Sequence, residues 1–189
     1  MVFARRLLVG LAGLLVILVV IGLFLPSTAQ VERSVVIEAP PERVYEVVSD
    51  FNQFNRWSPW YENDPNAEYT ISPPGTGVGA TFSWASEVPG VGSGSQQIIA
   101  LEENRLVEIK LDFGPDGQAT SSYALEALDD GSTRLTWGFD TDFSYDLIGR
   151  YLGLVFDKWI GQDYEKGLAK LRKVIESETP PPTTPLQGG

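Results

Sequence analysis

The apolar residues between positions 34 and 51 change their spacing partway along the segment. Ser34 to Glu38 is a short run rich in β-branched residues, which predicts a strand. Pro40-Pro41-Glu42 follows it, and proline with an early glutamate suits the first turn of a helix. Apolar side chains then recur at i, i+3, i+4 and i+7: Val44, Val47, Val48 and Phe51. This spacing predicts an amphipathic helix with one buried face.

Between Ala67 and Phe143 the apolar period becomes two. Turn signals such as Pro89-Gly90 and Asp129-Asp130-Gly131 separate the alternating segments. The pattern predicts six antiparallel strands in a meander. Its inward positions share one face of the sheet: Phe82, Trp84, Val107, Ile109, Leu111, Phe113, Ser121, Tyr123, Leu125, Leu135, Trp137 and Phe139. The opposite face is polar, so we expect the sheet to bury one side only.

A helical period returns from about Asp146 to Ser177. Apolar residues at spacings of three and four form one stripe: Leu152, Phe156, Ile160, Tyr164, Leu168, Leu171 and Ile175. They predict a helix of about 30 residues, roughly 45 Å long, that covers the apolar face of the sheet. We therefore expect one α+β domain over residues 31–177, followed by a disordered Pro-rich tail over residues 178–189.

The N-terminal segment is strongly apolar. Leu7 to Leu25 carries no charge, follows Arg5 and Arg6, and would reach roughly 28 Å as a helix, close to the hydrocarbon thickness of a bilayer. Residues 1–30 are therefore predicted to be a transmembrane anchor and linker. The small residues Ser27-Thr28-Ala29 leave a cleaved signal peptide as the alternative.

Both alternatives place the domain outside the cytoplasm. Arg5 and Arg6 should stay inside by the positive-inside rule, which predicts a single-pass protein of the cell membrane with an extracytoplasmic domain. Cleavage would make that domain periplasmic or secreted. Gly10, Gly13 and Gly22 could let another helix approach the segment closely, although ordinary membrane-span composition explains them equally well.

Composition excludes several kinds of chemistry. The chain has no cysteine and no histidine, which rules out disulfides, thiolate or imidazole metal sites and His-based triads. From Ser27 onward it carries 12 basic and 25 acidic residues, so it repels phosphate backbones. We therefore predict no nucleic-acid partner, no metal site and no cofactor; the oligomeric state stays open.

Three segments carry a resemblance to a known family. They are IEAPPERVYEVVSDFNQFNRWSPW ending at Trp60, TGVGATFSW from Thr76 to Trp84, and IGQDYEKGLAKLRKVIE from Ile160 to Glu176. Together with the order of elements, they resemble the helix-grip fold of the START-like, or SRPBCC, superfamily, in its polyketide cyclase/dehydrase-like branch. Bacterial members of this branch carry similar N-terminal membrane segments.

The resemblance implies a curved sheet of about seven strands around a long C-terminal helix, with a deep pocket between them for lipids, sterols, polyketides or hormones. On this basis the candidate ligand-binding residues are Trp57, Phe82, Trp84, Ser121, Tyr123, Trp137, Phe139 and Phe156. Inward aromatic residues fill the core in most domains, which is the alternative for each of them. Ser121 and Tyr123 could orient the polar end of a ligand, or could pair with each other or with water.

Acidic residues of the meander, such as Glu108, Asp112, Glu126 and Asp140, fall on the outer face of the predicted sheet. We therefore assign no catalytic residue, and the leading hypothesis is a membrane-tethered module that binds a small hydrophobic or amphipathic molecule such as a lipid, isoprenoid or polyketide. The alternative is a cyclase or dehydratase with Tyr123 as its acid/base group. A structural or partner-binding role for the acidic outer surface is a third hypothesis, which a large exposed apolar patch would favour.

Overall fold

The computed structural model describes residues 2–178, and over this range it contains four α-helices and seven strands. In chain order these are α1 (Val2–Phe24), β1 (Thr28–Ile37), α2 (Pro41–Val48), α3 (Phe51–Trp57), β2 (Glu68–Ile71), β3 (Thr81–Ala85), β4 (Ser93–Glu102), β5 (Leu106–Asp112), β6 (Gln118–Ala127), β7 (Thr133–Asp142) and α4 (Leu147–Glu178). A single 3-10 turn, Gly114–Asp116, lies between β5 and β6. The predicted tail lies outside the described residues, apart from Glu178, which ends α4.

The strands form one antiparallel sheet in the order β1-β7-β6-β5-β4-β3-β2. The predicted six-strand meander from β2 to β7 is confirmed, and β1 joins its far edge. β1 begins at Thr28, six residues before the predicted start at Ser34, because it pairs with the full length of β7, from Thr28 opposite Asp142 to Ile37 opposite Thr133. Pairing with a neighbouring strand has thus extended β1 beyond its most β-branched part.

The inner face of the sheet is buried under α4, as the alternating pattern predicts. Val107, Ile109 and Leu135 are completely buried, and Leu171 and Ile175 of α4 are equally inaccessible. α2 and α3 close the rest of this face with buried residues that include Val44, Phe51 and Trp57. The α+β helix-grip fold is therefore confirmed.

Two glycines let α4 approach the elements beneath it. A Cβ atom at Gly167 would lie 2.7 Å from a ring carbon of Trp137 and 3.1 Å from Pro59. A Cβ atom at Gly161 would clash with the guanidinium of Arg33, which pairs with both Asp157 and Glu165. Arg33 thereby fastens β1 to the middle of α4.

The first half of α4 differs from the second in its exposure. Leu152 was expected in the inward stripe, but it is 43% exposed, and Ile148 and Trp159 are also exposed. In this half of α4, Phe156 still packs on Phe139 of the sheet, while Leu147 and Tyr151 contact Gly22 of α1, and Leu152 is left partly uncovered. The inward stripe is fully buried only from Tyr164 onward.

α1 has the length and composition of a membrane span over Arg5–Phe24, with a mean hydropathy of 3.1. It packs against the start of α4 at Gly22, where an added Cβ atom would lie 3.2 Å from the Tyr151 ring and 3.4 Å from Leu147. A Cβ atom added at Gly10 or Gly13 would have no atom of the described part of the chain within 4 Å. Of the three candidate glycines, Gly22 is therefore the position of close helix approach.

Candidate functional site

A cavity of about 210 Å³ lies between the sheet, α3 and the middle of α4. Aromatic side chains form most of its wall: Phe54, Trp60, Tyr61, Tyr69, Phe82, Trp84, Phe113, Phe139 and Tyr164. Leu111 and Ile160 add aliphatic surface, and Gly90 with Val91 of the β3–β4 loop form part of its edge. The cavity is thus an apolar space whose edge includes a surface loop.

Trp84 is held against this loop by two contacts. Its indole Nε1 donates a hydrogen bond to the Val91 carbonyl oxygen at 3.2 Å. Gly94, opposite Trp84 on the neighbouring strand, lies under the indole, where a Cβ atom would approach within 2.7 Å of Cζ2. The absence of a side chain at position 94 therefore lets the indole lie flat along the cavity wall.

Three polar side chains reach the cavity. Ser58 and Gln96 are buried. Asn55 is partly exposed as a whole, but its Oδ1 atom is inaccessible to solvent. Within residues 2–178, neither the Asn55 Oδ1 nor the Gln96 amide has a hydrogen-bond partner. A polar group without a partner in an apolar cavity is suited to a polar atom brought by a ligand.

Neither Gln96 nor Asn55 was among the candidates from the sequence. Gln96 lies opposite Phe82 on one side and Leu111 on the other, and both of these line the cavity. Gln96 lies two residues before buried Ile98 in β4, so both side chains point to the same face of the sheet. This alternation was the signal that could have identified Gln96 from the sequence. Asn55 had no such signal, because it follows Phe54 in a short helix whose orientation depends on tertiary packing.

The eight candidate ligand-binding residues separate into two groups. Phe82, Trp84 and Phe139 line the cavity. The others lie outside its lining: Trp57, Ser121, Tyr123, Trp137 and Phe156. Phe156 instead packs on Phe139 and Phe143, with ring centroids 6.1 and 5.6 Å apart. Ligand contact by each of the eight stays a prediction.

Three of the remaining candidates form a packed aromatic cluster beside the cavity, together with Tyr164 of the cavity wall. Trp137 stacks on Tyr164 with centroids 3.8 Å apart, and Trp57 meets Trp137 edge to face at 5.2 Å. Tyr123 packs on both tryptophans. We call Trp57, Tyr123, Trp137 and Tyr164 the aromatic cluster. Edge-to-face and stacked pairs of this kind add stability beyond the area they bury.

Ser121 is satisfied inside this cluster. Its Oγ accepts a hydrogen bond from the Trp137 Nε1 at 2.9 Å and donates one to the Gly138 carbonyl at 3.0 Å. Its hydrogen-bond partners are therefore the Trp137 and Tyr164 side chains and the Gly138 carbonyl oxygen, and the pairing with Tyr123, one of the alternatives that the sequence left open, does not form among the described residues. The Trp57 Nε1 is buried and has no partner among the described residues.

The site is electrically neutral. Among residues 2–178, none of the side chains that line the cavity is a carboxylate, an ammonium or a guanidinium. Burial raises the pKa of Tyr123 well above its usual value. Burial also raises the pKa of Tyr164, and the nearby Ser121 and Trp137 side chains only partly offset the shift. Both phenols therefore keep their protons at neutral pH, since desolvation disfavours the charged form.

Sequence and structure comparisons identify similar proteins. Residues 28–176 match the profile of a family described as polyketide cyclase / dehydrase and lipid transport. Comparison with curated proteins finds no match. Among solved structures, the ZhuI aromatase/cyclase from Streptomyces sp. R1128 has a TM-score of 0.56 and 18% identity, and the match covers 79% of this chain and 94% of that one.

Two further structures share the fold. Norcoclaurine synthase from Thalictrum flavum, solved with dopamine and hydroxybenzaldehyde, has a TM-score of 0.60 and 12% identity, covering 81% of this chain and 89% of that one. Aha1 from Colwellia psychrerythraea has a TM-score of 0.53 and 17% identity, covering 78% and 96%. Similarity at these identities shows the fold alone. With the family match, it confirms the resemblance inferred from the sequence.

Proposed function

Because the chain belongs to the polyketide cyclase/dehydrase and lipid-transport family, we propose that its cavity binds a small, neutral, amphipathic molecule while α1 tethers the domain to a membrane. One observation carries the binding proposal: an apolar cavity without charged groups contains the unpaired amide of Gln96, a residue only 4% exposed. Apolar pockets with a few placed polar groups are the usual form of small-molecule sites.

The size of the cavity narrows the ligand class. Its volume of about 210 Å³ is below the range of roughly 300–1,000 Å³ usual for drug-sized ligands. The space matches one aromatic ring or one end of an isoprenoid or acyl chain better than a whole sterol. The norcoclaurine synthase structure with two single-ring molecules, dopamine and hydroxybenzaldehyde, supports this scale for the fold.

The contacts of α1 favour an uncleaved anchor over a signal peptide. Cleavage after Ala29 would remove Thr28 and Ala29 from β1, where they pair with Asp142 and Thr141. Cleavage would also remove the carbonyl oxygens of Gly22, Leu23 and Leu25, at the end of α1, to which the Arg150 guanidinium donates hydrogen bonds. An uncleaved α1, with Arg5 and Arg6 inside, would leave the domain on the extracytoplasmic side of a bacterial cell membrane.

A cyclase or dehydratase activity has less support. Tyr123, its candidate acid/base group, lies in the aromatic cluster outside the cavity lining, and no carboxylate of the described residues hydrogen-bonds to it. Its raised pKa also makes it a poor proton donor at neutral pH. The observations therefore favour binding.

A matched pair of loop variants tests the binding proposal. Val91→Trp places a large side chain at the cavity edge, whereas Val88→Trp adds the same bulk to the same loop at a residue outside the cavity lining. The full chain in lipid nanodiscs is titrated with 4-fluorophenol and followed by fluorine NMR, with empty nanodiscs as the blank. The wild type and Val88→Trp should broaden the signal beyond the blank, and Val91→Trp should abolish that effect.

Native mass spectrometry of the three proteins gives a second measurement. The wild type and Val88→Trp should retain a small apolar molecule from the host that Val91→Trp lacks. Equal broadening by all three proteins in the NMR titration, or none above the blank, would count against the cavity as the binding site.

A further inference from the structure

The first half of α4 exposes an apolar surface. Ile148, Leu152 and Trp159 are 73%, 43% and 56% exposed. Their spacings of four and seven residues place them on one side of the helix, together with half-buried Val155. We call these four residues the apolar face of α4. Contiguous exposed apolar surface of this kind marks an interaction site.

This face lies beside the candidate membrane span. The Tyr151 hydroxyl donates a hydrogen bond to the Leu18 carbonyl oxygen at 2.7 Å, and Leu147 and Tyr151 both contact Gly22. Leu147 and Tyr151 each precede a residue of the apolar face by one position, so the two surfaces adjoin around the helix. Whatever environment surrounds the end of α1 therefore also reaches the apolar face.

Arg150 fixes the position of α4 on α1. Its guanidinium donates to the carbonyl oxygens of Leu23 and Leu25 at 3.2 and 3.3 Å, and so satisfies acceptors that the end of a helix leaves free. The same side chain also donates to Ser144, just before α4. The start of α4 is therefore attached to the last turns of α1 by directional bonds as well as by packing.

The position along α1 at which α4 contacts it indicates that the apolar face of α4 meets lipid. Leu18 lies six residues before the end of α1, about 9 Å along the helix axis. If Arg5–Phe24 spans the hydrocarbon layer, the Tyr151 hydroxyl reaches below its surface and the apolar face of α4 lies at the boundary between acyl chains and headgroups. Tyrosine and tryptophan are enriched at this boundary, as Tyr151 and Trp159 would be here.

We propose that the apolar face of α4 is a second membrane contact, which lies in the headgroup boundary of the bilayer that α1 spans. This inference rests on the proposed tether by α1 and extends it, because a second contact would orient the domain on the membrane as well as anchor it there. Trp159 precedes Ile160, which lines the cavity, so the contact would bring the cavity wall within one residue of the bilayer surface. A second copy of the chain is the competing occupant.

The absence of native cysteine allows a direct test in the full chain. Leu152→Cys and Trp159→Cys each place a single NBD fluorophore on the apolar face. Ile17→Cys, on exposed α1, is the control for the tether, and Lys110→Cys, on the outer face of the sheet, is the control for solvent. Each protein is reconstituted in phosphatidylcholine nanodiscs with and without lipid that carries a doxyl quencher near the headgroup.

The labels at positions 152 and 159 should lose emission with doxyl lipid, as the label at position 17 does, while the label at position 110 should not. Quenching at position 17 alone would overturn the inference and leave the tether standing. Quenching at none of these positions would overturn the tether and this inference together. Energy transfer between differently labelled copies, without doxyl quenching at 152 and 159, would assign the face to a second copy and also overturn it.

Ligand binding is scored separately, by the 4-fluorophenol titration of the same labelled proteins. Its loss would count against the cavity proposal and would not bear on the membrane contact. The label sites at Leu152 and Trp159 of α4 and at Ile17 of α1 are exposed, so we expect the labelled proteins to fold like the wild type. Circular dichroism before reconstitution checks this expectation.

Discussion

The two ends of the space between the sheet and α4 use the same kinds of residue for different purposes. At one end the aromatic cluster is closely packed, with Trp137 stacked on Tyr164 at 3.8 Å. At the other end Phe82, Trp84 and Phe113 surround an open cavity. Residues of both ends project from the same face of the same sheet.

The difference comes from what covers each end. Gly167 lets α4 lie directly on Trp137, and Pro59 fills the remaining space. At the open end, α3 and α4 still contribute Phe54 and Ile160 to the cavity wall, and the β3–β4 loop with Gly90 and Val91 borders the space between them and the sheet. A residue's inward direction therefore does not decide whether it fills a core or lines a cavity; the covering element does.

The largest effect is expected from Trp137→Ala, which opens the packed end. It removes a fully buried indole and should lower the free energy of unfolding by about 3–5 kcal/mol. Urea denaturation followed by circular dichroism measures the loss. Trp159→Ala is the matched control because that indole is exposed, and it should change the stability little. Equal losses in both variants would contradict the distinction between a packed cluster and the exposed surface.

Gly167→Ala tests the close approach of α4 with a single added carbon. Overpacking against the Trp137 ring and Pro59 costs about 1–3 kcal/mol, of which alanine's better helix propensity recovers up to about 1 kcal/mol. A net loss of stability is therefore expected in the same denaturation assay. Arg172→Ala, at an exposed position of α4, is the control. A gain in stability from Gly167→Ala would show that the contact is loose.

Gln96→Leu alters the open end without changing its volume much. Loss of the buried amide should weaken 4-fluorophenol binding by about 0.5–1.5 kcal/mol, roughly twofold to twelvefold, and leave stability unchanged or raised. Gln97→Leu is the control, because its side chain lies on the other face of the same strand. Unchanged binding in Gln96→Leu would remove Gln96 from the site.

The smallest effect concerns Asp157, whose pKa is lowered by its hydrogen bond and ion pair with Arg33. A carboxylate with a lowered pKa stabilises the fold above its ordinary value of 3.8, and this contribution is lost as pH falls through the lowered pKa. Asp157→Asn should therefore be slightly less stable than the wild type at pH 6, with the difference vanishing in strong acid. The pair is exposed, so the effect should be small.

Denaturation of both proteins across a pH series measures this difference. Asp129→Asn, in the turn between β6 and β7, removes a carboxylate far from Arg33 in sequence and controls for net charge. A stability difference for Asp157→Asn that persists unchanged to the lowest pH would show that the ion pair with Arg33 is not its cause.

Several features could be predicted because short-range pattern decides them. The inward positions of β5, β6 and β7 follow from alternation, since successive side chains of a strand point to opposite faces. The buried half of α4, from Tyr164 to Ile175, follows from helical spacing. The candidate site was reached only in part: Phe82, Trp84 and Phe139 line the cavity, whereas Trp57 and Trp137 are packed beside it.

By itself, then, the sequence determined the fold family, the side of each strand that is buried and the presence of an apolar N-terminal helix, because periodicity and composition act over neighbouring residues. Only the tertiary structure decided where the inner face stays open, that Gln96 and Asn55 reach the opening, and that the start of α4 packs on α1. These outcomes depend on contacts between segments far apart in the chain, such as Gly22 with Tyr151 and Gly167 with Trp137. Such contacts leave no period in the sequence.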